Sequence, residues 1–375
     1  MIQTDTYTRQ RLLSPATGRV TEVCLIETDG TADLPVYLEW LRAMDVRRGL
    51  LLLVNVPEYS AAALEILHEI RSLGIEVLPV QLPDTINTRP GTPHSYPLPA
   101  ADMMLGAVGT DGRRTLYLAD YGRHDFKSLR YDHRFRTALR RLGYQAIACR
   151  DAGLPALEGG DCLQIEEHLF LGTGTRRRFG AHATCDIRTF YHLAEEVQLH
   201  YIGVDDPSLH QGLYHLDLYF AYAGRDERGH HRFLAGYIDE DSIGDAVIDD
   251  MRRQLDHFRT AVRETLDACF GGMYTLTPVP VIVCDIYRVS PLNGITEYVN
   301  GRLKYYFPWP KFINAKEHPD FDIQQRVTAA TQRAWDILAA TLGPEALVRC
   351  PVPVCYTTGS GQSLHCTLGI IGRKG

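Results

Sequence analysis

A chain of 375 residues with 45% hydrophobic and 23% charged content has the make-up of a globular protein, enough for one large or two ordinary domains. The formal net charge of −7 argues against a general nucleic-acid-binding surface, and no apolar run reaches membrane-spanning length. Nine cysteines, an odd number, behind a start (Met1-Ile2-Gln3-Thr4-Asp5) without signal-peptide features predict reduced thiols and a cytoplasmic protein.

In chain order, a strand is expected over Thr21 to Glu27, then a helix over Leu34 to Met44, where apolar residues recur at helical spacing. The continuous apolar run from Leu50 to Val56 predicts a buried strand. A helix over Ala61 to Leu73, closed by Gly74, and a strand over Ile75 to Val80 follow. Strand and helix thus alternate, as in α/β proteins. Five prolines between Pro83 and Pro99 predict a long loop, either a lid or a passive surface segment. Beyond it come a strand over Thr115 to Ala119, a basic-faced helix over Leu129 to Leu142 and a strand over Ala146 to Cys149.

Further strands are expected at Leu169 to Gly172, His200 to Val204, Leu213 to Phe220 and Phe233 to Ile238, with a helix at Ile187 to Ala194. The longest helix is expected over Ser242 to Phe270. After it come a buried strand over Pro278 to Val289, a turn over Glu297-Tyr298-Val299-Asn300-Gly301-Arg302 and a strand over Leu303 to Phe307, broken by Pro308-Trp309-Pro310. A helix over Asp322 to Leu342 and a strand over Ala346 to Tyr356 lead to a glycine-rich loop, Gly359-Ser360-Gly361, before Cys366. This gives five or more modules of paired strands with one helix, and no linker marks a boundary, so residues 1–375 read as one domain.

Three segments carry polar chemistry. Glu158-Gly159-Gly160-Asp161 bends sharply and can aim both acids into a cleft. In a strand over Leu213 to Phe220, His215, Asp217 and Tyr219 share the face opposite Leu216, Leu218 and Phe220. Cys366 follows His365 after the glycine-rich loop; a thiol with imidazole nearby can act as a nucleophile, or it is simply a buried cysteine of a terminal strand. The loop Gly172-Thr173-Gly174-Thr175-Arg176-Arg177-Arg178 can bind a carboxylate or phosphate through its arginines, or it is only solvated. Cys350-Pro-Val-Pro-Val-Cys355, rich in proline and strand formers, is not read as a metal site.

Taken together and in this order, the segments resemble the guanidino-group-modifying enzymes: arginine, agmatine and peptidylarginine deiminases, dimethylargininases and amidinotransferases. Glu158-Gly159-Gly160-Asp161 is similar to the Glu-Gly-Gly-Asp segment of arginine deiminases, and His215-Leu216-Asp217 to the family His-x-Asp. Gly361-Gln362-Ser363-Leu364-His365-Cys366-Thr367 resembles the Gly-Gly-x-Ile-His-Cys-x-Thr ending of agmatine deiminases, and Tyr298-Val299-Asn300 that branch's Tyr-x-Asn. The chain departs from the pattern as well. That branch carries its upstream substrate aspartate at the end of a segment matching Asp102-Met103-Met104-Leu105-Gly106-Ala107, where no acid stands here, and Arg150-Asp151-Ala152-Gly153-Leu154-Pro155 lies too close to Glu158 to replace it.

The resemblance implies a single-domain pseudo-fivefold α/β-propeller, the pentein fold, of ββαβ modules. It implies catalytic Cys366, His215, Asp217 and Asp161, with Glu158, Arg176 and Asn300 as substrate-binding residues. The substrate is expected to be a small cationic guanidino compound, with no metal or cofactor, no nucleic acid and no membrane; a homodimer stands as one form of assembly. Asp161 and Asp217 would hold the planar guanidinium while the Cys366 thiolate attacks its carbon and His215 moves the protons. Hydrolysis, amidino transfer to an amine, and a non-catalytic descendant binding a guanidino ligand or a protein are the three outcomes.

Overall fold

The computed structural model describes residues 9–13, 18–28, 33–54, 56, 58–80, 104–118, 133–149, 157, 159–173, 175, 183–203, 215–243, 245–284, 287–312, 321–354, 364 and 368–374. The expected loop Pro83 to Pro99 lies outside the described residues. The fold is mixed α/β, with five separate sheets, none closed into a barrel.

The first sheet shows how the sequence makes the core. Strands β2 (Arg19–Thr28), β3 (Gly49–Val54) and β4 (Ile75–Val80) run parallel, joined by helices α1 (Leu34–Ala43) and α2 (Ala61–Ser72). The Ser60 hydroxyl accepts the Ala63 N–H and starts α2, as N-cap serines do. Side-chain alternation along β3 sends Leu51 and Leu53 into the core under α1 and α2, and Leu50, Leu52 and Val54 into a second core on the opposite face. A strand buried on both faces has no polar side, which is why Leu50 to Val54 reads as an unbroken apolar run.

The second sheet pairs β5 (Met104–Gly109) antiparallel with β6 (Arg114–Leu118), which leads through α3 (His133–Arg141) to the parallel strand β7 (Tyr144–Ala148). A short β1 (Gln10–Leu12) adds to its edge. The third sheet repeats the wiring with β8 (Cys162–Ile165), β9 (His168–Gly172), α4 (Ala183–Phe190) and β10 (Gln198–Ile202). The fourth uses β11 (Phe220–Arg225), β12 (His231–Ile238), the 26-residue α5 (Asp245–Phe270) and β13 (Tyr274–Cys284), with β14 (Tyr287–Val289) at its edge. The fifth uses β15 (Ile295–Val299), β16 (Arg302–Phe312), α6 (Phe321–Leu342) and β17 (Leu347–Val354). The last strand, β18 (Gly369–Lys374), returns to pair antiparallel with β2, giving the first sheet the same strand–strand–helix–strand order.

Consecutive sheets touch through β18 and β5, β8 and the turn before β11, and β11 and β15; β15 in turn touches β2. Buried polar groups tie these contacts. Gln164 Oε1 accepts the Leu12 N–H at 2.8 Å, and the Thr296 hydroxyl donates to the Tyr222 carbonyl at 2.7 Å. Glu297 accepts the Val20 N–H at 2.9 Å and the Tyr306 hydroxyl. Between the first and second sheets, Glu22 pairs with Arg114 at 2.6 Å, and the Tyr144 hydroxyl lies between Glu22 and the Ile371 carbonyl.

Four sequence expectations are corrected. The turn expected over Glu297 to Arg302 shrinks to Asn300-Gly301, because Glu297 to Val299 pair in β15 and Arg302 opens β16. The strand over Leu213 to Phe220 is replaced by a 3-10 turn at Leu216–Leu218, with a strand starting only at Phe220. The Ser290 hydroxyl donates to the Leu218 carbonyl at 2.5 Å, and Tyr219 N–H to Leu216 O at 3.0 Å, so tertiary and turn bonds override the local alternation. The single strand expected over Pro278 to Val289 is two antiparallel strands, β13 and β14. Pro308 and Pro310 do not break β16. β15 pairs with β16 only up to Tyr306, so beyond that residue one side of β16 needs no backbone donor, and a proline costs no ladder bond there. No helix among the described residues is long and apolar enough to cross a membrane.

Two measurements follow from this packing. Tyr144→Phe removes the hydroxyl that bridges Glu22 and the Ile371 carbonyl, leaving a buried carboxylate short of a donor. We expect a loss of about 1–3 kcal/mol in denaturant unfolding; an unchanged midpoint would deny this contact its role. Burial, followed by the Arg225 charge, holds the His231 imidazole below its ordinary value. A base with a depressed folded pKa stabilises fully above its unfolded value of about 6.5, and that stability is lost as pH falls through the folded pKa. Wild type is therefore expected to lose more stability between pH 7.5 and pH 5 than His231→Gln does, read by urea midpoints at each pH.

Candidate active site

The site is built on two short turns. Gly159–Asp161 forms a 3-10 turn whose last residue, Asp161, is 2% exposed and enters β8 directly. The turn is held from behind by Tyr191, whose buried hydroxyl accepts the Leu157 N–H at 2.7 Å. The Thr175 hydroxyl donates to Asp161 Oδ2, and Thr175 is itself fully buried. Gly172 completes the seat: a Cβ at that position would stand 1.8 Å from Asp161 Oδ1, so only glycine leaves room for the carboxylate.

The second turn, Leu216–Leu218, carries Asp217, with His215 buried immediately before it in an extended conformation. It packs against both the Gly159–Asp161 turn and β8, so the segments bearing Asp161, His215 and Asp217 come together across the boundary between the third and fourth sheets. Asp217 Oδ2 accepts the Asn293 side-chain N–H at 2.7 Å. Asn293 is fully buried in the segment joining β14 to β15, which also sends Ser290 to the Leu218 carbonyl. Gly294 lets this segment lie close to the fifth sheet, because a Cβ there would meet the Tyr305 ring at 2.6 Å. Beside Asp217 lies a cavity of about 20 Å³, lined by Cys162, Leu163, Leu216, Phe220 and Leu292 among others, large enough for one water.

Cys366, Glu158 and Arg176 lie outside the described residues. The chain on either side of Cys366 is anchored: Leu364 and Leu368 are both fully buried, and Leu368 N–H donates to Leu364 O at 3.0 Å. Both leucines belong to the core cluster that contains Ile295, two residues after Asn293. Asn300 is exposed, with φ 52°, in the two-residue turn between β15 and β16 with Gly301 at φ 75°. Such left-handed pairs are what tight hairpins select, so the turn accounts for Asn300. The length of β15 separates it from Asn293 by about 20 Å. The segment Ser290 to Gly294 packs against the turn that carries Asp217.

Sequence reading singled out the Gly172 to Arg178 loop for its arginines and missed the roles of Gly172 and Thr175 beside Asp161; Asn293 it missed altogether. Asn293-Gly294 is a turn signal in its own right, but only the packing aims the amide at Asp217. Among the described residues, Cys24, Cys149, Cys162, Cys269, Cys284 and Cys350 are free thiols. Burial pushes Cys269 up to about 11 and, with a smaller contribution from Glu39, Cys350 up to about 12, so neither is a ready thiolate at neutral pH. Comparison with known proteins found no match to a family model, to a curated protein or to a solved structure.

The Gly172 seat yields a sharp test. Gly172→Ala is expected to displace the Asp161 carboxylate and to lower the urea midpoint more than Gly229→Ala does, which meets no neighbour and adds only the strain of its positive φ. Equal midpoints would show that Asp161 does not need glycine at this position.

Proposed function

We propose that this chain is a deiminase-type cysteine hydrolase acting on the guanidine carbon of arginine or a related guanidino compound. The observation that carries the reading is the packing of the Gly159–Asp161 turn against the Leu216–Leu218 turn, which brings together segments far apart in sequence. Leu364 and Leu368, which flank Cys366 in sequence, are buried in the core cluster of Ile295, and this also supports the reading. We read the five sheets as blades of a pseudo-fivefold α/β-propeller. The repeated strand–strand–helix–strand wiring and the contact of the fifth sheet with the first support that reading.

In this reading a guanidinium, which stays protonated at neutral pH, lies between the Asp161 and Asp217 carboxylates. The Cys366 thiolate adds to the central carbon and a C–S bond forms. His215 gives a proton to the departing nitrogen as the C–N bond breaks, leaving an amidino-thioether. His215 then takes a proton from water, which adds to the same carbon and expels the thiolate. One water is consumed per turnover, and the products are a urea and ammonia, or an amine where the lost nitrogen was substituted. Asn293 positions Asp217, and Thr175 with Gly172 positions Asp161.

A haloacetamidine, flat and cationic like the substrate, tests this reading. It is expected to alkylate Cys366 far faster than the neutral iodoacetamide does, with Asp217→Asn cutting the preference, read by intact mass and peptide mapping. The buried thiols Cys24, Cys284 and Cys350, held up by desolvation, are expected to stay unlabelled. Cys366→Ala should keep the fold while turnover of arginine or another guanidino compound falls, by as much as roughly 10⁶-fold for a lost nucleophile. Labelling spread over several cysteines, or no preference for the cation, would overturn the reading; an amine-acceptor arm with glycine separates hydrolysis from amidino transfer.

A further inference from the structure

The third sheet and the end of α5 bring three ligating side chains to one place, apart from the two turns of the candidate active site. His168 begins β9, His200 lies beside it on β10, and Cys269 is the penultimate residue of α5. His168 Nδ1 stands 3.0 Å from His200 Nε2, and Cys269 Sγ stands 3.5 Å from the same His200 nitrogen. One ligand atom from each residue can be chosen so that all three lie within 4.8 Å of one another.

We propose that His168, His200 and Cys269 form a zinc site, with His168 Nδ1, His200 Nε2 and Cys269 Sγ as three ligands and the fourth place open to water. Tetrahedral zinc with bonds of about 2.0–2.1 Å to nitrogen and 2.3 Å to sulfur spaces its ligand atoms by about 3.3–3.6 Å. The 3.0 and 3.5 Å separations lie close to that spacing; Sγ also stands 3.6 Å from His200 Nδ1, so the imidazole must turn to aim Nε2 alone at the ion. Two imidazoles and a thiolate are a donor set suited to zinc.

The surroundings fit the same purpose. With Nδ1 turned to the cluster, the other His168 nitrogen faces the Glu167 carboxylate at 3.8 Å. A carboxylate behind a metal-bound imidazole sets its tautomer and strengthens it as a ligand. His168 is buried, with the Phe270 ring edge-on at 4.9 Å, and Phe170 lies 5.3 Å from the His200 ring. His200 and Cys269 are half-buried, which leaves a way in for the ion. Bound zinc would join β9 and β10 of the third sheet to the end of the helix from the fourth, replacing the direct imidazole contact with three bonds to one ion.

The test uses the full chain, stripped with a chelator and titrated with zinc against a chromophoric indicator, and separately with cobalt(II). One zinc per chain is expected, and cobalt should show visible bands with a thiolate charge-transfer band in the near ultraviolet. Cys269→Ser should abolish that band and weaken zinc binding at least 100-fold, while Cys366→Ala keeps both. Glu167→Gln should weaken binding by about 10–100-fold without moving the melting temperature of the metal-free protein. Absence of one-to-one binding, cobalt spectra without a thiolate band, or equal affinity in Cys269→Ser would overturn the proposal. The three residues would then be a hydrogen-bonded imidazole pair beside an unreactive thiol. If Cys269→Ser does not fold, the cobalt spectrum of the native chain and the Glu167→Gln affinity decide.

Discussion

The pairing of the last strand with the second is the constraint on which the rest of the structure depends. Without β18, the first sheet would be a run of parallel strands with β2 at an open edge. With it, that sheet acquires the antiparallel pair present in each of the other four. The same pairing holds Gly369 opposite Cys24, one residue after the buried Leu368. It also carries Arg373 to the boundary with the fifth sheet, where its guanidinium donates to the Gly18 and Thr296 carbonyls at 3.0 and 2.9 Å.

Sheets that meet through apolar side chains alone can slide, since hydrophobic contact is not directional. Here most boundaries also carry a buried polar bond of fixed geometry. Gln164 reaches from the third sheet to Leu12, Thr296 from the fifth to Tyr222, Glu297 from the fifth to Val20, and Glu22 from the first to Arg114. Glu22 and Glu297 are charged groups removed from water, a state that is costly unless several donors meet each carboxylate. Each has them, and each therefore selects one relative placement of its two sheets. The burial that makes these groups expensive is what makes them specific.

The candidate site inherits its precision from the same boundaries. Asp161 is set by a residue absent as much as by residues present: the missing Cβ at Gly172 and the Thr175 hydroxyl leave its carboxylate one place to sit. Asp217 is set by Asn293, which arrives from the connection between the fourth and fifth sheets. Three consecutive modules thus contribute to two acidic groups, and movement at either boundary would disturb them. The His168, His200 and Cys269 group sits at the first of these boundaries, so an ion there would stiffen the base on which the Asp161 turn rests.

Local pattern alone was enough for the helices and most strands. Ile75–Val80 and Ala61–Ser72 follow from short-range spacing and end signals that tertiary contacts reinforce. The alternation of strands and helices was legible in the local pattern, whereas the meeting of the Asp161 turn with the turn that carries Asp217 was an expectation of the family resemblance and of no local spacing. What the residues could not disclose was decided by partners distant in sequence. Leu213 to Phe220 alternates like a strand, yet Ser290 and Asn293 take up the Leu218 carbonyl and the Asp217 carboxylate and the segment turns. Pro308 and Pro310 look like breakers, yet β15 stops short and removes the need for their missing N–H groups. Asn300 matched a motif, but its backbone belongs to a hairpin. Short-range sterics and hydrophobic periodicity act within a few residues, so the sequence determined the elements. Hydrogen-bond partners, close approaches at glycine and the meeting of His168, His200 and Cys269 depend on which surfaces the folded sheets bring together, and only the tertiary structure decided those.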